Sequence, residues 1–296
     1  MIVVRLMGGL GNQMFQYACG RSLAIRHNVN LKLDLTSLAN DHNGRTFQLD
    51  RFRTSYRVAK QRSIQRLKWR PRPLVKRVIW RFFGKHYPLV QAGSWVREDL
   101  SLSPERLLHA IPTPCYLDGY WQSEEYFAEI ADLIRNEFKI SKPLSLEAQK
   151  NKKIIHAEAC PVSLHIRRGD YLSNIRTYKK FGVLDIDYYQ NSIAYLKSHL
   201  GSFSLFVFTD DPEWVSDKFR VSASFTIISN FNPPHEDLDL ISLCRHHIIA
   251  NSSFSWWGAW LNHNPNKIII APSKWFSDPA ENANSQRIIP KNWIII

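Results

Sequence analysis

Cysteine is scarce: Cys19, Cys115, Cys160 and Cys244 are the only four in 296 residues, and no two make a CxxC pair. So few thiols exclude a disulfide scaffold, and their spacing matches no metal-ligand pattern, so they are expected to be buried and reduced. No run approaches the roughly 18 uninterrupted apolar residues of a membrane-spanning helix. The start, MIVVRLMGGLGNQ, lacks the basic opening and long apolar stretch of a secretory leader. The expected location is therefore cytoplasmic, either free or peripheral on the cytosolic face of a membrane. Internal repeats and low-complexity tracts are missing too. What is present is ample core material, with 44% hydrophobic and 12% aromatic residues against 22% charged. That composition excludes a disordered, collagenous or coiled-coil chain. At about 150 residues per domain the length favours two compact domains, with one large α/β domain left open.

A local absence is more informative. Residues 51–97 contain fourteen Lys or Arg and no acidic residue. They account for the whole excess in a net charge of +13. Trp69, Trp80, Phe82, Phe83 and Tyr87 interleave with these cations. Basic residues with aromatics suit an anionic membrane surface or single-stranded nucleic acid. A solvated basic helical face with its apolar side turned inward fits equally well. No nucleic-acid-binding motif accompanies the patch, so no nucleic-acid partner is expected.

The pattern along the chain is α/β. An apolar strand over 2–6, a glycine turn, a helix over 12–27 and a strand over 30–35 open a parallel layer. A strand at 116–117 and an acidic helix over 123–138, capped by Ser123, follow the basic segment. Residues 140–143 form a linker. From Pro161 a second series alternates strands at 162–166, 205–208, 225–228, 248–250 and 268–271 with helices at 187–200, 212–219, 235–244 and 254–261. These strands are apolar along their length, as when both faces of a parallel sheet are covered. The expected domains are 1–145, carrying the basic insert 51–97, and 146–296.

Polar residues cluster just after the strands, where open α/β sheets bind ligands. His165, Arg167, Arg168 and Asp170 leave the strand at 162–166. An arginine fork suits bidentate phosphate binding and its charge is permanent. Asp170 could hold one guanidinium, or the group could be a structural ion pair. Asn251, Ser252 and Ser253 precede a helix start, where hydroxyls cap the helix and free N–H groups bind phosphate. Asp210 and Asp211 enter another helix start, where capping alone would explain them. Trp256 and Trp257 suit core packing. In the N-terminal glycine loop, Gly9 and Gly11 with Asp34 mimic a dinucleotide fingerprint, but Met14 stands at the third glycine position. Asn12 and Gln13 put two amides at the mouth of that loop. Asp237 and Asp239 spell DxD, yet on a helix they diverge by about 200°, which argues against a shared metal. No metal site is expected.

Four motifs, GGLGNQMFQYA (8–18), HIRRGDY (165–171), FTDDPEW (208–214) and NSSFSWWGAWL (251–261), resemble those of glycosyltransferase family 11, the α-1,2-fucosyltransferases that use GDP-L-fucose. They occur in family order over nearly the whole chain. The resemblance implies a GT-B-like fold, with two Rossmann-type domains facing across a cleft, acceptor on the N-terminal side and donor on the C-terminal side. By this likeness Arg167 would grip the β-phosphate of GDP, with Asp170 in support, and His165 would border the guanine. Arg168, Ser252, Ser253 and Asp210 would line the donor, and Asp237 would accept from guanine N–H groups. Gly11, Asn12 and Gln13 would lie near the phosphate and acceptor. The implied reaction is inverting, metal-independent transfer of fucose from GDP-β-L-fucose to the 2-hydroxyl of a galactoside, as in surface polysaccharide or O-antigen synthesis. No cofactor is expected. The acceptor would be a galactose-terminated oligosaccharide, lipid-linked if residues 51–97 dock on an anionic membrane surface. The general base stays open among Asp118, Asp185 and Asp187. Two other readings remain: a polyanion-binding protein with a degenerate nucleotide pocket, and a dinucleotide-dependent oxidoreductase, which Asp34 permits and Met14 weakens.

Overall fold

The computed structural model describes residues 1–41, 44–69, 94–228 and 232–296, apart from the side chains of Asp170 and Asn284. The chain divides into two compact units, Met1–Phe138 and Lys139–Ile296. The division falls slightly before the expected 145/146. Ser145, which caps the helix after the linker, already belongs to the second unit: its N–H and hydroxyl donate to the two oxygens of Glu236 at 2.7 and 2.6 Å.

Among the described residues the first unit is built on a parallel sheet of five strands: β1 (Ile2–Arg5), β2 (Leu31–Asp34), β3 (Arg57–Val58), β4 (Trp95–Arg97) and β5 (Cys115–Asp118), in the order β3-β2-β1-β5-β4. Its helices are α1 (Leu10–Arg26), α2 (Thr36–Ala39), α3 (Gln61–Lys68), α4 (Pro104–Ala110) and α5 (Ala131–Glu137). The single helix expected over 123–138 is instead two 3₁₀ turns, Glu124–Tyr126 and Ala128–Ile130, followed by α5. Phe127 breaks it. Its backbone leaves helical geometry at φ −140°, and its fully buried ring sits 6.3 Å from that of Phe15. Burying an aromatic side chain outweighs the propensity of one turn.

The second unit carries six parallel strands: β6 (Pro161–Ile166), β7 (Ser204–Thr209), β8 (Phe225–Ile228), β9 (His246–Ile248), β10 (Ile269–Ala271) and β11 (Ile294–Ile295). Their order is β11-β10-β9-β6-β7-β8. Around them lie α6 (Leu146–Ala157), α7 (Gly169–Ser173), α8 (Ile175–Phe181), α9 (Ile186–Leu200), α10 (Pro212–Lys218), α11 (Pro234–Leu243), α12 (Ser253–Leu261) and α13 (Pro279–Ala283). In β7, Leu205 and Val207 join one apolar cluster, with Ile193 and Leu196 of α9, while Phe206 and Phe208 join another, with Leu240 of α11. Cover on both faces is why the strand is apolar throughout. Trp256 and Trp257 are wholly buried, as expected of core residues.

The strand order fixes where a ligand can go. From β6 the chain builds outward through β7 and β8, then returns to the other side of β6 at β9. Connections leaving β6 and β9 therefore diverge and open a crevice at their carboxyl ends, the topological switch point of a doubly wound sheet.

Candidate functional site

Three strands deliver polar residues to that crevice edge. Arg167 and Arg168 follow β6, Asp210 and Asp211 follow β7, and Asn251–Ser253 follow β9. Asp210 organises the first two groups. One oxygen pairs with Arg167 Nη1 at 2.9 Å and the other accepts the backbone N–H of Arg168 at 2.8 Å. Gly169 permits this approach, since a Cβ there would lie 3.0 Å from the carboxylate. Arg168 is held differently. Its Nε donates to Asp211 at 3.1 Å, and its guanidinium lies 3.9 Å from the centre of the Trp214 ring. Asp211 also caps α10 by accepting from Trp214 N. Arg168 is thus spent on fixing the turn, whereas Arg167 is oriented by one carboxylate and keeps 23% of its side chain exposed.

The partner expected for Arg167 was Asp170, whose side chain lies outside the described residues. Among the described residues the carboxylate paired with Arg167 is that of Asp210. The sequence offered FTDD as helix capping, which is true of Asp211. Asp210 could be found only through the β6–β7 register that pairs His165 with Phe208.

Ser252 caps α12, its hydroxyl accepting from Phe254 N at 3.3 Å, and Ser253 is the first residue of the helix. Behind them Asn251 is buried and donates to the carbonyl of Phe181 at 2.9 Å. Its own carbonyl accepts the Tyr171 hydroxyl at 2.9 Å. Through these two bonds the helical pair α7–α8, which the sequence pattern missed, is tied to the phosphate-type turn after β9. His165 is buried on the opposite face of β6 from the Val162–Leu164–Ile166 cluster, its ring 5.6 Å from Phe254. Burial first, and then the charge of Arg167, push its pKa down to about 4. It is a neutral imidazole, whose Nδ1 has no hydrogen-bond partner among the described residues. Asp237 lies in the first turn of α11, beyond β8, and accepts from Asn232 at 2.9 Å. Burial lifts its pKa to about 7 against the lowering effect of that hydrogen bond.

The residues expected in the first unit fare unevenly. Gln13 is fully buried, donating to the carbonyls of Gly8 and Thr46 and accepting from Gln48 N. It fastens the glycine loop rather than presenting an amide at its mouth. Gly11 is buried within α1. Asn12 is partly exposed and accepts from the Gln122 side chain at 2.7 Å. Asp34 is wholly buried against Tyr116, at 2.6 Å, and Thr36, and so cannot serve a ribose. Asp118 is ion-paired with Arg5 and accepts from Trp95 Nε1, and Asp185 caps α9. Neither is poised as a base. Of the basic segment, α3 buries Ile64 and Leu67 and exposes Arg62 and Arg66, while Lys68 lies over the Tyr116 ring, 4.0 Å from Asp34. Residues 70–93 lie outside the described residues. Among the described residues no three His, Cys, Asp or Glu side chains group as metal ligands would, and no helix is long and apolar enough to cross a membrane.

A family model described as glycosyl transferase family 11 matches residues 91–296. The chain is 35% identical to an alpha-1,2-colitosyltransferase of Escherichia coli, over 100% of this chain and 98% of that one. It is 31% identical to the O-antigen biosynthesis glycosyltransferase WbnK of Escherichia coli, over 98% of each. Bovine galactoside alpha-(1,2)-fucosyltransferase 1 is 25% identical over 58% of this chain and 48% of its own length. Among solved structures, fucosyltransferase NodZ from Bradyrhizobium superposes with a TM-score of 0.50 at 14% identity, covering 87% of this chain and 91% of that one. That likeness is one of fold.

Proposed function

The chain belongs to glycosyltransferase family 11, and on that premise we propose that it transfers L-fucose from GDP-β-L-fucose to the 2-hydroxyl of a galactoside, with inversion, in the assembly of a surface polysaccharide such as O-antigen. The observation that carries this reading is Arg167, oriented by Asp210 at the β6/β9 switch point of the sheet whose β9 leads to the Ser252–Ser253 start of α12.

In the reaction the acceptor oxygen bonds to the anomeric carbon as the bond from that carbon to the β-phosphate oxygen breaks. The bonding pair leaves with GDP, and the acceptor hydroxyl gives up its proton. Negative charge grows on the diphosphate, so donors fixed in advance at that point lower the barrier most. Arg167 supplies permanent charge and a bidentate fork, and the helix start supplies N–H groups. These can do for a diphosphate what a divalent cation does in other transferases, so transfer is proposed to be metal-independent. Asp237 and Asn232, with His165, would face the guanine. A neutral His165 can border a base without repelling its N–H donors.

A second donor reading is favoured by the similarity to a colitosyltransferase. The same machinery would then act on GDP-colitose, which differs from GDP-fucose in the sugar alone. The acceptor is proposed to be lipid-linked and met at an anionic cytosolic membrane surface through residues 51–97. The test is release of GDP from each donor, with and without lactose or N-acetyllactosamine, in EDTA. Acceptor-dependent release from GDP-fucose with an α-1,2 product is the expected result. Release from GDP-colitose alone would move the reading to the second donor. Absence of GDP binding would refute the assignment of His165–Arg168.

A further inference from the structure

Tyrosine hydroxyls take two backbone carbonyls where the chain leaves β9. Tyr188, on α9, donates to the Ile249 carbonyl at 2.6 Å, and Tyr171, on α7, donates to the Asn251 carbonyl at 2.9 Å. Both tyrosines are buried. The second bond falls on the peptide that leads into Ser252, the cap of α12. A trans peptide is planar, so its carbonyl and the Ser252 N–H point opposite ways. Holding the carbonyl therefore holds the N–H, which donates to the Ala250 carbonyl at 2.7 Å. Orientation matters where a diphosphate is proposed to sit. A carbonyl oxygen turned towards an anion repels it, whereas the N–H groups of a helix start attract it. With its carbonyl spent on Tyr171, the Asn251–Ser252 peptide cannot flip without breaking a buried hydrogen bond.

The same side chain reaches the arginine. The Arg167 guanidinium carbon lies 5.8 Å from the centre of the Tyr171 ring, within range of cation–π attraction. That ring is itself stacked on Phe181, with centroids 5.2 Å apart and planes 17° from parallel. Phe181 is anchored in turn. Its carbonyl accepts from the Asn251 side chain at 2.9 Å, and its ring lies 5.5 Å from that of Phe276. The backbone pairing of β6 with β9 runs from Val162 and His246 to Leu164 and Ile248, and so stops short of Arg167 and Asn251. Tyr171 carries the connection past the end of that ladder. Its ring meets the arginine that follows β6, and its hydroxyl meets the turn that follows β9.

We infer that Tyr171 is a positioning residue for the donor diphosphate, setting the Arg167 guanidinium and the Asn251–Ser252 peptide in a fixed relation before the nucleotide binds. It acts through these two groups and not on the reacting atoms. The inference deepens the proposed transfer and rests on that reading for its ligand.

Two variants of the full chain test it. Tyr171→Phe removes the hydroxyl and keeps the stacked ring, so it is expected to fold, and thermal melts check this. Tyr171→Leu removes the ring as well. GDP binding is measured by calorimetry, and binding of guanosine, which has no phosphate, by saturation-transfer NMR. In Tyr171→Phe, GDP affinity is expected to fall about five- to tenfold, the worth of one buried hydrogen bond, while guanosine binds as it does to the parent. Tyr171→Leu is expected to lose more GDP affinity than Tyr171→Phe. Equal GDP affinity in the parent and Tyr171→Phe overturns the inference and leaves the donor reading standing. A parallel fall for GDP and guanosine also overturns it, as the mark of a merely structural role. Equal affinities in the two variants would overturn the part given to Arg167. A parent that binds no GDP takes down the donor reading, and this inference with it.

Discussion

Arg167 and Asp237 carry the most testable chemistry, because in each case the environment fixes what the side chain can be. Arg167→Ala removes the oriented cation, and turnover is expected to fall on the order of 10²–10³-fold. Arg167→Lys should restore little, as a single ammonium cannot reproduce the fork. Asp210→Asn should weaken GDP binding by releasing both Arg167 and the Arg168 N–H. Single-turnover transfer rates and GDP calorimetry check these. Asp237, with its pKa lifted to about 7 by burial, gives a sign for pH. To accept from guanine it must be ionised. GDP affinity is therefore expected to be level above about pH 7 and to fall below it, approaching tenfold per unit. Asp237→Asn should bind more weakly and lose this slope. Calorimetry between pH 5.5 and 8.5 would decide, and a slope that survives in the variant would assign it to another group. At this scale the sequence showed residue types well: the arginines, serines and Asp237 were all visible from motifs. Partners were not, because Asp210 reaches Arg167 through strand pairing across more than forty positions. The burial that consumes Gln13 and Asp34 is likewise a tertiary fact.

The helix start after β9 and the strand that carries His165 are where stability and function meet. Ser252→Ala removes the cap of α12. About 1 kcal/mol of stability should be lost, and GDP affinity should fall with it, measurable by denaturant melts and calorimetry together. His165 gives the acid limb. Its pKa in the folded chain is near 4, against 6.5 when exposed. Between those values the unfolded chain holds a proton that the folded chain does not. The contribution is complete above about pH 6.5 and is lost as pH falls towards 4. Buried His247 acts in the same direction. His165→Leu should make stability less steep over that window, and an unchanged acid limb would assign the dependence elsewhere. Elements were legible where periodicity met burial on both faces, as in β6 and β7. They were not where local pattern and tertiary demand disagreed. Phe127 broke an expected helix by entering the core. The pair α7–α8 went unseen because its exposed Ile175 and Tyr178 blur any amphipathic period. It is held instead by the Tyr171–Asn251 and Asn251–Phe181 hydrogen bonds.

Across the whole molecule the two parallel sheets were readable from strand–helix alternation, since each layer repeats one local grammar. The charge asymmetry was readable as a count, but its purpose was not, because solvation, membrane and polyanion readings share one composition. Within the described residues of the segment, α3 has the buried Ile64 and Leu67 of a packed helix with Arg62 and Arg66 exposed, which leaves those two cations available to a surface. A membrane role then makes a quantitative demand. Outside residues 51–97 the net charge is −1, against +13 for the whole chain, so attraction to anionic lipid must come from this one segment. Each cation near such a surface contributes about 1 kcal/mol, falling off within a Debye length of about 8 Å at physiological salt. Neutralising Arg70, Arg72, Lys76 and Arg77 should therefore remove up to about 4 kcal/mol, at most roughly 10³-fold in partitioning. The parent should pellet with phosphatidylserine or phosphatidylglycerol vesicles at low salt and be released as salt rises. The variant should stay in the supernatant yet still transfer to soluble N-acetyllactosamine. A variant that pellets as the parent does would return these cations to the role of a solvated face. One that loses transfer to the soluble sugar would place them in acceptor binding instead.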